Sequence, residues 1–373
     1  MTVEQTLREL VAIDSVSSRS NAEIISYLKA RCESCGLNVD VFPHRDEKGF
    51  EKLNLVVQTS KTNETVELAL VGHTDTVPYD PNWTQALNLN ERDGNLYGRG
   101  ACDTKAFIAA ALTAIESIDL AKLTKPLALI FTADEEIGCL GAKHLAEARP
   151  FKARYAIVGE PTSLQPIRAG KGYCFAEFTL RGREAHSAYP QLGTSAIFRA
   201  AHLIERIEAI AEELKSDLHS DFDPPYTTLN VGRIQGGSAK NIVAGECRFV
   251  LEWRSVPGQK TDYVLNLAKE AIADLQMHDR DFICEIKASR ADESFETKAE
   301  SELVKFLEEK SGKASGTVAF GTEAPSMIAL GAEAVVFGPG DIRVAHRTDE
   351  FVPVKELNDC VRILNEAIER FCL

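Results

Sequence analysis

The chain has 373 residues, nearly three times the ~100–150 of a common domain, which predicts two domains. Apolar residues make up 44% and charged residues 26%, a balance that supports a large buried core and excludes disordered, collagen-like and low-complexity architectures. The 56 Asp and Glu against 42 Lys and Arg leave a formal charge of −14, which argues against nucleic acid or an anionic membrane as the main partner.

The first residues, Met1-Thr2-Val3-Glu4-Gln5, have no basic stretch leading into an apolar run, so no signal peptide is expected. Residues 21–35 read as a helix. Cys32 and Cys35 within it read as small helix residues, because a redox or zinc pair would sit at a helix start or in a knuckle. The nine cysteines are odd in number and lack framework spacing, which fits a reducing cytoplasm. Apolar runs at residues 66–71, 127–131 and 155–158 pass directly into Gly72-His73, Thr132-Ala133-Asp134-Glu135-Glu136 and Gly159-Glu160. A fourth, residues 334–337, passes into Gly338-Pro339-Gly340. Continuous apolar runs bounded by turns predict buried central strands. Helical patterns over residues 104–118, 140–147 and 301–310 separate them, which predicts an α/β layered domain with a mostly parallel central sheet. The most apolar stretch, residues 107–115, is about half the ~18 residues that would span a bilayer.

From residue 172 to 288 the pattern changes. A strand (173–180), a helix (194–215), two strands (227–234 and 242–253), a helix (262–276) and a strand (282–287) follow one another. Ile197, Ala201, Ile204, Ile207 and Leu214 form a stripe with the helical period. The order β-α-β-β-α-β is that of a ferredoxin-like unit. It divides the larger domain into residues 1–171 and 289–373, around an inserted domain of residues 172–288.

In parallel sheets ligands bind beyond the carboxyl ends of the strands, which is where the polar residues of this chain fall. His73 and Asp75 are two residues apart on an extended segment and so share a face, which suits a metal-binding imidazole held by a neighbouring carboxylate. Asp103, after Gly98-Arg99-Gly100-Ala101-Cys102, opens a helix and reads either as a helix cap or as a ligand. Glu135 and Glu136 diverge on leaving a strand, so one can bind a metal while the other faces a reacting water. Glu160 ends the next strand and His346 follows a Gly-Pro-Gly turn. Two histidines and three carboxylates suit a pair of Zn²⁺ ions, or of Co²⁺ or Mn²⁺, without any cysteine. Gly98-Arg99-Gly100 lacks the third glycine of a dinucleotide-binding loop, which argues against a dehydrogenase.

The motifs at residues 72–78 (Gly-His-Thr-Asp-Thr-Val-Pro), 98–105 (Gly-Arg-Gly-Ala-Cys-Asp-Thr-Lys), 132–136 (Thr-Ala-Asp-Glu-Glu) and 159–162 (Gly-Glu-Pro-Thr) resemble, in this order, those of the M20 co-catalytic metallohydrolases. Residues 160–166, 322–325 and 338–350 bring the resemblance closest to the acetylornithine deacetylase branch, over essentially the whole chain. It implies a zinc-peptidase-like domain interrupted by a dimerisation domain, hence a homodimer. It also implies that Asp103 bridges two metals, with His73 and Glu160 completing one site and Glu136 and His346 the other. Asp75 would orient His73, Glu135 would be the general base, and a cis peptide would follow Asp103.

The expected reaction is hydrolysis of the acetyl amide of N2-acetyl-L-ornithine by a hydroxide bridging the metals, as in arginine biosynthesis. His186 reads either as a loop histidine or as an oxyanion donor, and the resemblance implies that it would reach a partner subunit's site. Arg254 and Asn241 resemble the family's carboxylate-binding groups, and Glu323 would face the ornithine ammonium. Phe320-Gly321 and Arg347-Thr348 depart from the family's Tyr-Cys and Gln-Pro, which bears on acyl or side-chain preference. The alternatives are a related N-acyl-amino-acid hydrolase (acetylcitrulline deacetylase, succinyl-diaminopimelate desuccinylase or aminoacylase) and an inactive binding paralogue. The desuccinylase lacks an assignable second cationic grip, and the paralogue would have lost a ligand or Glu135.

Overall fold

The computed structural model describes residues 1–46, 49–60 and 65–373. The chain divides into two compact units. Met1–Arg168, Glu296–Gly316 and Thr322–Leu373 form the first, and Ala169–Phe295 with Thr317–Gly321 form the second. The second is longer than the insertion expected from the sequence. Its last strand, Ile283–Asp292, runs past residue 288 because it stays paired with Tyr173–Arg181 up to Asp292 and Tyr173.

The first unit is built on a sheet whose centre is parallel. Strand Val66–His73 lies between Leu127–Thr132 and Ala153–Val158, and Ala153–Val158 pairs in turn with Glu333–Val336, all parallel. The strands Asn38–Arg45 and Glu51–Gln58 form an antiparallel hairpin added to Leu127–Thr132. This hairpin is absent from the sequence reading. The central strands are buried on both faces, as their continuous apolar runs require. Leu68, Leu70, Leu129 and Ile157 enter one core cluster together with helices Val3–Ala12, Lys105–Glu116 and Val354–Cys372. By the period of two, Ala69, Val71, Ile130 and Val158 point to the opposite face.

Helix Lys105–Glu116 is buried almost all round, from Lys105 to Leu112 and again at Ala114 and Ile115. Its apolar run is that of a core helix, and no helix among the described residues is long and apolar enough to cross a membrane. Its alanines and the bare Gly159 let it approach the sheet closely. A Cβ on Gly159 would lie 2.2 Å from the Phe107 ring. The carboxyl ends of the parallel strands therefore open onto the start of this helix, where Asp103 stands.

The second unit has four antiparallel strands in the spatial order Thr228–Gly236, Glu246–Arg254, Tyr173–Arg181, Ile283–Asp292. With helices Ala196–Leu214 and Tyr263–His278 this is the β-α-β-β-α-β order read from the sequence. The third strand starts at Glu246 rather than at residue 242. Residues 242–245 are diverted: Ile242 bridges His186, and the Val243 amide donates to Ala185 O. Ala196–Leu214 is amphipathic, but its buried face is rotated from the expected stripe: Ala200, Leu203, Ile207 and Leu214 enter a core centred on the stacked rings of Phe178 and Phe249, 4.9 Å apart, while Ile197 and Ala201 are exposed.

Candidate metal centre

His73 is the last residue of its strand, and Glu135, Glu136 and Glu160 follow the ends of the two strands that flank it. Asp103 precedes helix Lys105–Glu116, and the Asp103–Thr104 peptide is cis. His346 follows the short helical turn Ile342–Val344, with φ of 60°. These residues form two groups that share Asp103. His73, Asp103 and Glu160 make the first and Asp103, Glu136 and His346 the second, the donor atoms of each group lying within 4.8 Å of one another.

The contacts show what the donor set suits. His73 Nδ1 lies 3.0 Å from Asp75 O, and a carbonyl only accepts, so this nitrogen carries its hydrogen. Nε2 lies 3.0 Å from Asp103 Oδ1, another acceptor. A neutral ring satisfies only one of the two contacts, so His73 is either an imidazolium or presents the Nε2 lone pair to a cation. His346 Nε2 similarly faces Asp103 Oδ2 at 3.1 Å and Glu136 Oε2 at 3.0 Å. Glu136 Oε1 is buried with no hydrogen-bond partner. Imidazole nitrogens and carboxylate oxygens at this spacing fit a pair of divalent cations.

The electrostatics agree. Burial, with the charges of Asp103 and Glu135, pushes Glu160 well above the usual carboxyl range. Burial raises Glu135 to about 8 and Glu323 to about 7. Burial alone would raise Asp103 too, but its hydrogen bonds to His346 and His73 hold it well below the ordinary value. Hydrogen bonds to Asp103 and Glu136 push His346 up to about 10. Carboxyls that gather protons while both imidazoles stay charged mark a cluster short of positive charge.

Asp75 sits beside His73, but not in the expected way. Its carboxylate accepts from Ser17 Oγ at 2.7 Å and from the amides of Glu135 and Glu136 at 3.1 and 3.3 Å. Its nearest approach to the His73 ring is 3.7 Å, so the main-chain carbonyl rather than the carboxylate orients the imidazole. Three donors already occupy the carboxylate, and they fix the backbone from which the two glutamates leave. Glu135 accepts from Cys139 Sγ at 3.3 Å. Glu323 is buried beside His73 and Asp75, with Oε1 unpartnered.

His186, Asn241 and Arg254 belong to the second unit. His186 Nδ1 accepts from the Ala188 amide, and Asn241 O from the Ser187 amide, so these two residues share one loop junction. Arg254 lies at the other end of the sheet. It stacks on Tyr173, 3.7 Å from the ring centroid, pairs with Glu252 and donates to Ala319 O. Tyr173–Arg181 has nine residues and separates the two ends by roughly 25 Å. Asn241 and Arg254 of one chain therefore do not grip one carboxylate together.

A parallel-centred α/β sheet with two carboxylate–histidine groups gathered beyond its strand ends defines a candidate divalent-metal centre, and the family and relatives that the chain matches make it a metal-dependent amidohydrolase. The profile of peptidase family M20/M25/M40 matches residues 69–370, and the chain belongs to this family. It is 52% identical over 369 residues to an acetylornithine deacetylase of Myxococcus xanthus, covering 98% of this chain and 97% of that one. It is 34% identical to an acetylornithine deacetylase of Proteus mirabilis (strain HI4320), over 98% and 96% of the two chains. Among solved structures, a tripeptidase of Staphylococcus aureus subsp. aureus mu50 is 26% identical, with a TM-score of 0.77 over 99% of this chain and 97% of that one.

Proposed function

We propose that the chain removes the acetyl group from N2-acetyl-L-ornithine, releasing L-ornithine and acetate for arginine biosynthesis in the cytoplasm. The observation that carries this reading is the 52% identity, over nearly the full length of both chains, to the deacetylase of Myxococcus xanthus. The retention of both ligand groups and of Glu135 favours an active enzyme over a binding paralogue.

Zn²⁺ is the assigned ion, with Co²⁺ and Mn²⁺ as alternatives, since the donors are nitrogen and oxygen without thiolate. Asp103 would bridge two ions, His73 and Glu160 holding one and Glu136 and His346 the other. When bound, such ions lower the pKa of a water and polarise the scissile carbonyl. Glu135 stands at the same strand end as Glu136 but in neither ligand group, free to take the water's proton and return it to the departing amine. Asp75 holds the amides of both glutamates and so fixes their directions. Arg254 grips the α-carboxylate of the substrate. Glu323, with its unpartnered buried oxygen, faces the δ-ammonium.

His186 donates to the developing oxyanion from a second copy of the chain, with Asn241 beside it. Two features support a homodimer. His186 and Arg254 stand at opposite ends of one sheet, so a small substrate touching both takes them from different chains. The second unit also exposes Tyr189, Leu192, Ile197 and Phe198, the last 71% accessible, near Thr228–Gly236, which among the described residues is an edge strand paired on one side only, with Ile234 exposed.

Specificity constants for N-acetylornithine, N-acetylnorvaline, N-acetylcitrulline and N-succinyl-diaminopimelate test the reading. Losing a charged hydrogen bond of about 1.5–3 kcal/mol lowers kcat/KM for N-acetylnorvaline roughly 10- to 100-fold. Equal values for ornithine and norvaline forms overturn the Glu323 contact, and a preference for the succinyl substrate overturns the deacetylase.

A further inference from the structure

We infer that Glu350 is a positioning residue that fastens the segment bearing Asp103 to the segment bearing His346, and thereby sets the second metal position. The inference rests on the ligand assignment proposed above. Glu350 is fully buried. Its Oε1 accepts from the amides of Cys102 at 2.8 Å and Asp103 at 3.0 Å, while Oε2 pairs with Arg99 Nη1. Its own carbonyl accepts from the Gly98 amide at 3.0 Å. Arg99 is buried as well, lies 5.4 Å from the centroid of the Trp83 ring and donates to Pro78 O.

A buried carboxylate persists only where fixed donors replace water. Here the carboxylate's donors are two backbone amides, of Cys102 and Asp103, and the Arg99 guanidinium, all on the six-residue run from Gly98 to Asp103, and the Gly98 amide meets the Glu350 carbonyl, so one side chain and its own carbonyl hold the whole approach to Asp103. Along the chain, Glu350 lies four residues after His346 and directly before strand Phe351–Pro353, which pairs with Asn95–Tyr97. Between them the backbone is unusual: His346 and Asp349 have φ of 60° and 61°, the left-handed region that non-glycine residues seldom occupy. Glu350 anchors the end of that turn. The consequence is the short contact between His346 Nε2 and Asp103 Oδ2. The other two ligands of the first group stand on strand ends of the central sheet and depend on Glu350 only through Asp103. Loss of Glu350 therefore acts unequally on the two positions.

The test titrates Co²⁺ into chelator-stripped protein, reading both affinities by calorimetry and the coordination by the visible spectrum. Wild type takes up two ions and His346→Ala one. Glu350→Gln places an amide NH₂ against either Arg99 or the two backbone amides, and weakens the second ion by about 10- to 100-fold while leaving the first near its wild-type affinity. Glu350→Asp keeps the charge but shortens the reach, shifts the same affinity in the same direction, and carries the measurement if the glutamine variant does not fold. Both are compared at matched secondary structure, since a merely structural role lowers Tm without splitting the two affinities. Equal weakening of both ions, or no weakening in the variants that fold, overturns the clamp and leaves the ligand assignment standing. Two ions bound by His346→Ala overturn the ligand assignment, and the clamp with it.

Discussion

Asp103, Glu135, Glu136, Glu160 and Glu323 bring five carboxyl groups together around two imidazoles, and burial decides how the cation-free protein balances them. Glu135 rises to about 8 and Glu323 to about 7, from 4.5, while its contacts to Asp103 and Glu136 lift His346 from 6.5 to about 10. Each folded value lies above the unfolded one, so between roughly pH 5 and pH 8 the folded form binds more protons than the unfolded chain. The stability these protons supply is present at the low end of that window and is lost as pH rises through it. Two divalent ions supply the charge instead and cancel the slope. Melting curves from pH 5 to 8, with chelator and with Zn²⁺, are expected to show a falling Tm only with chelator, so that the stabilisation by zinc widens with pH. A chelated protein whose Tm rises across this window contradicts the account. Glu135, Glu136 and Glu160 were legible in the sequence because a carboxylate directly after an apolar run is out of place for mere solvation, whereas Asp103, His346 and Glu323 stand after turns or in loops and were picked out by the resemblance to the family. Glu350 and Ser17 were not legible. Glu350 meets main-chain amides nearly 250 residues away and Ser17 a carboxylate 58 away, and no local pattern marks such pairings.

Elements were legible where burial imposes a pattern. The four central strands showed themselves as apolar runs ending in turns. The hairpin Asn38–Arg45 and Glu51–Gln58 did not, since its outer strand is half exposed and carries Pro43, which reads against a strand until its edge position is known. The same close packing that makes the strands legible constrains the site. Gly159 lies between strand Ala153–Val158 and Glu160, and any side chain there enters the space of Phe107. Gly159→Ala is expected to cost about 1–3 kcal/mol of stability, because the strand or the helix must shift. The shift is passed to Glu160, the next residue, so metal affinity at the first position falls more than at the second. Thermal melts and metal titration of the variant check both effects, and an unchanged Tm refutes the packing argument.

At the scale of the whole molecule, the separation of His186 from Arg254 bears on how many chains make one active site. If His186 serves the site of a second copy, each site takes Glu135 and all metal ligands from one chain and its oxyanion donor from the other. Glu135→Gln and His186→Ala are then each inactive as homodimers, for different reasons. The first lacks the base while keeping both metals; the second binds metal and substrate but leaves the oxyanion unsupported, which costs ~10²–10³ in kcat. Mixing the two variants and letting subunits exchange creates heterodimers with one site complete, pairing Glu135 of the His186→Ala chain with His186 of the Glu135→Gln chain. Random exchange makes half the dimers mixed, each with one of two sites intact, so activity returns to about a quarter of wild type. A histidine acting within its own chain restores nothing, because every site then lacks one of the two groups. Phe198→Glu, which places a charge on the exposed apolar face of the second unit, is expected to abolish the recovery and to shift the sedimentation coefficient to that of a monomer. Recovery that survives this substitution at unchanged size locates the shared surface elsewhere on the chain.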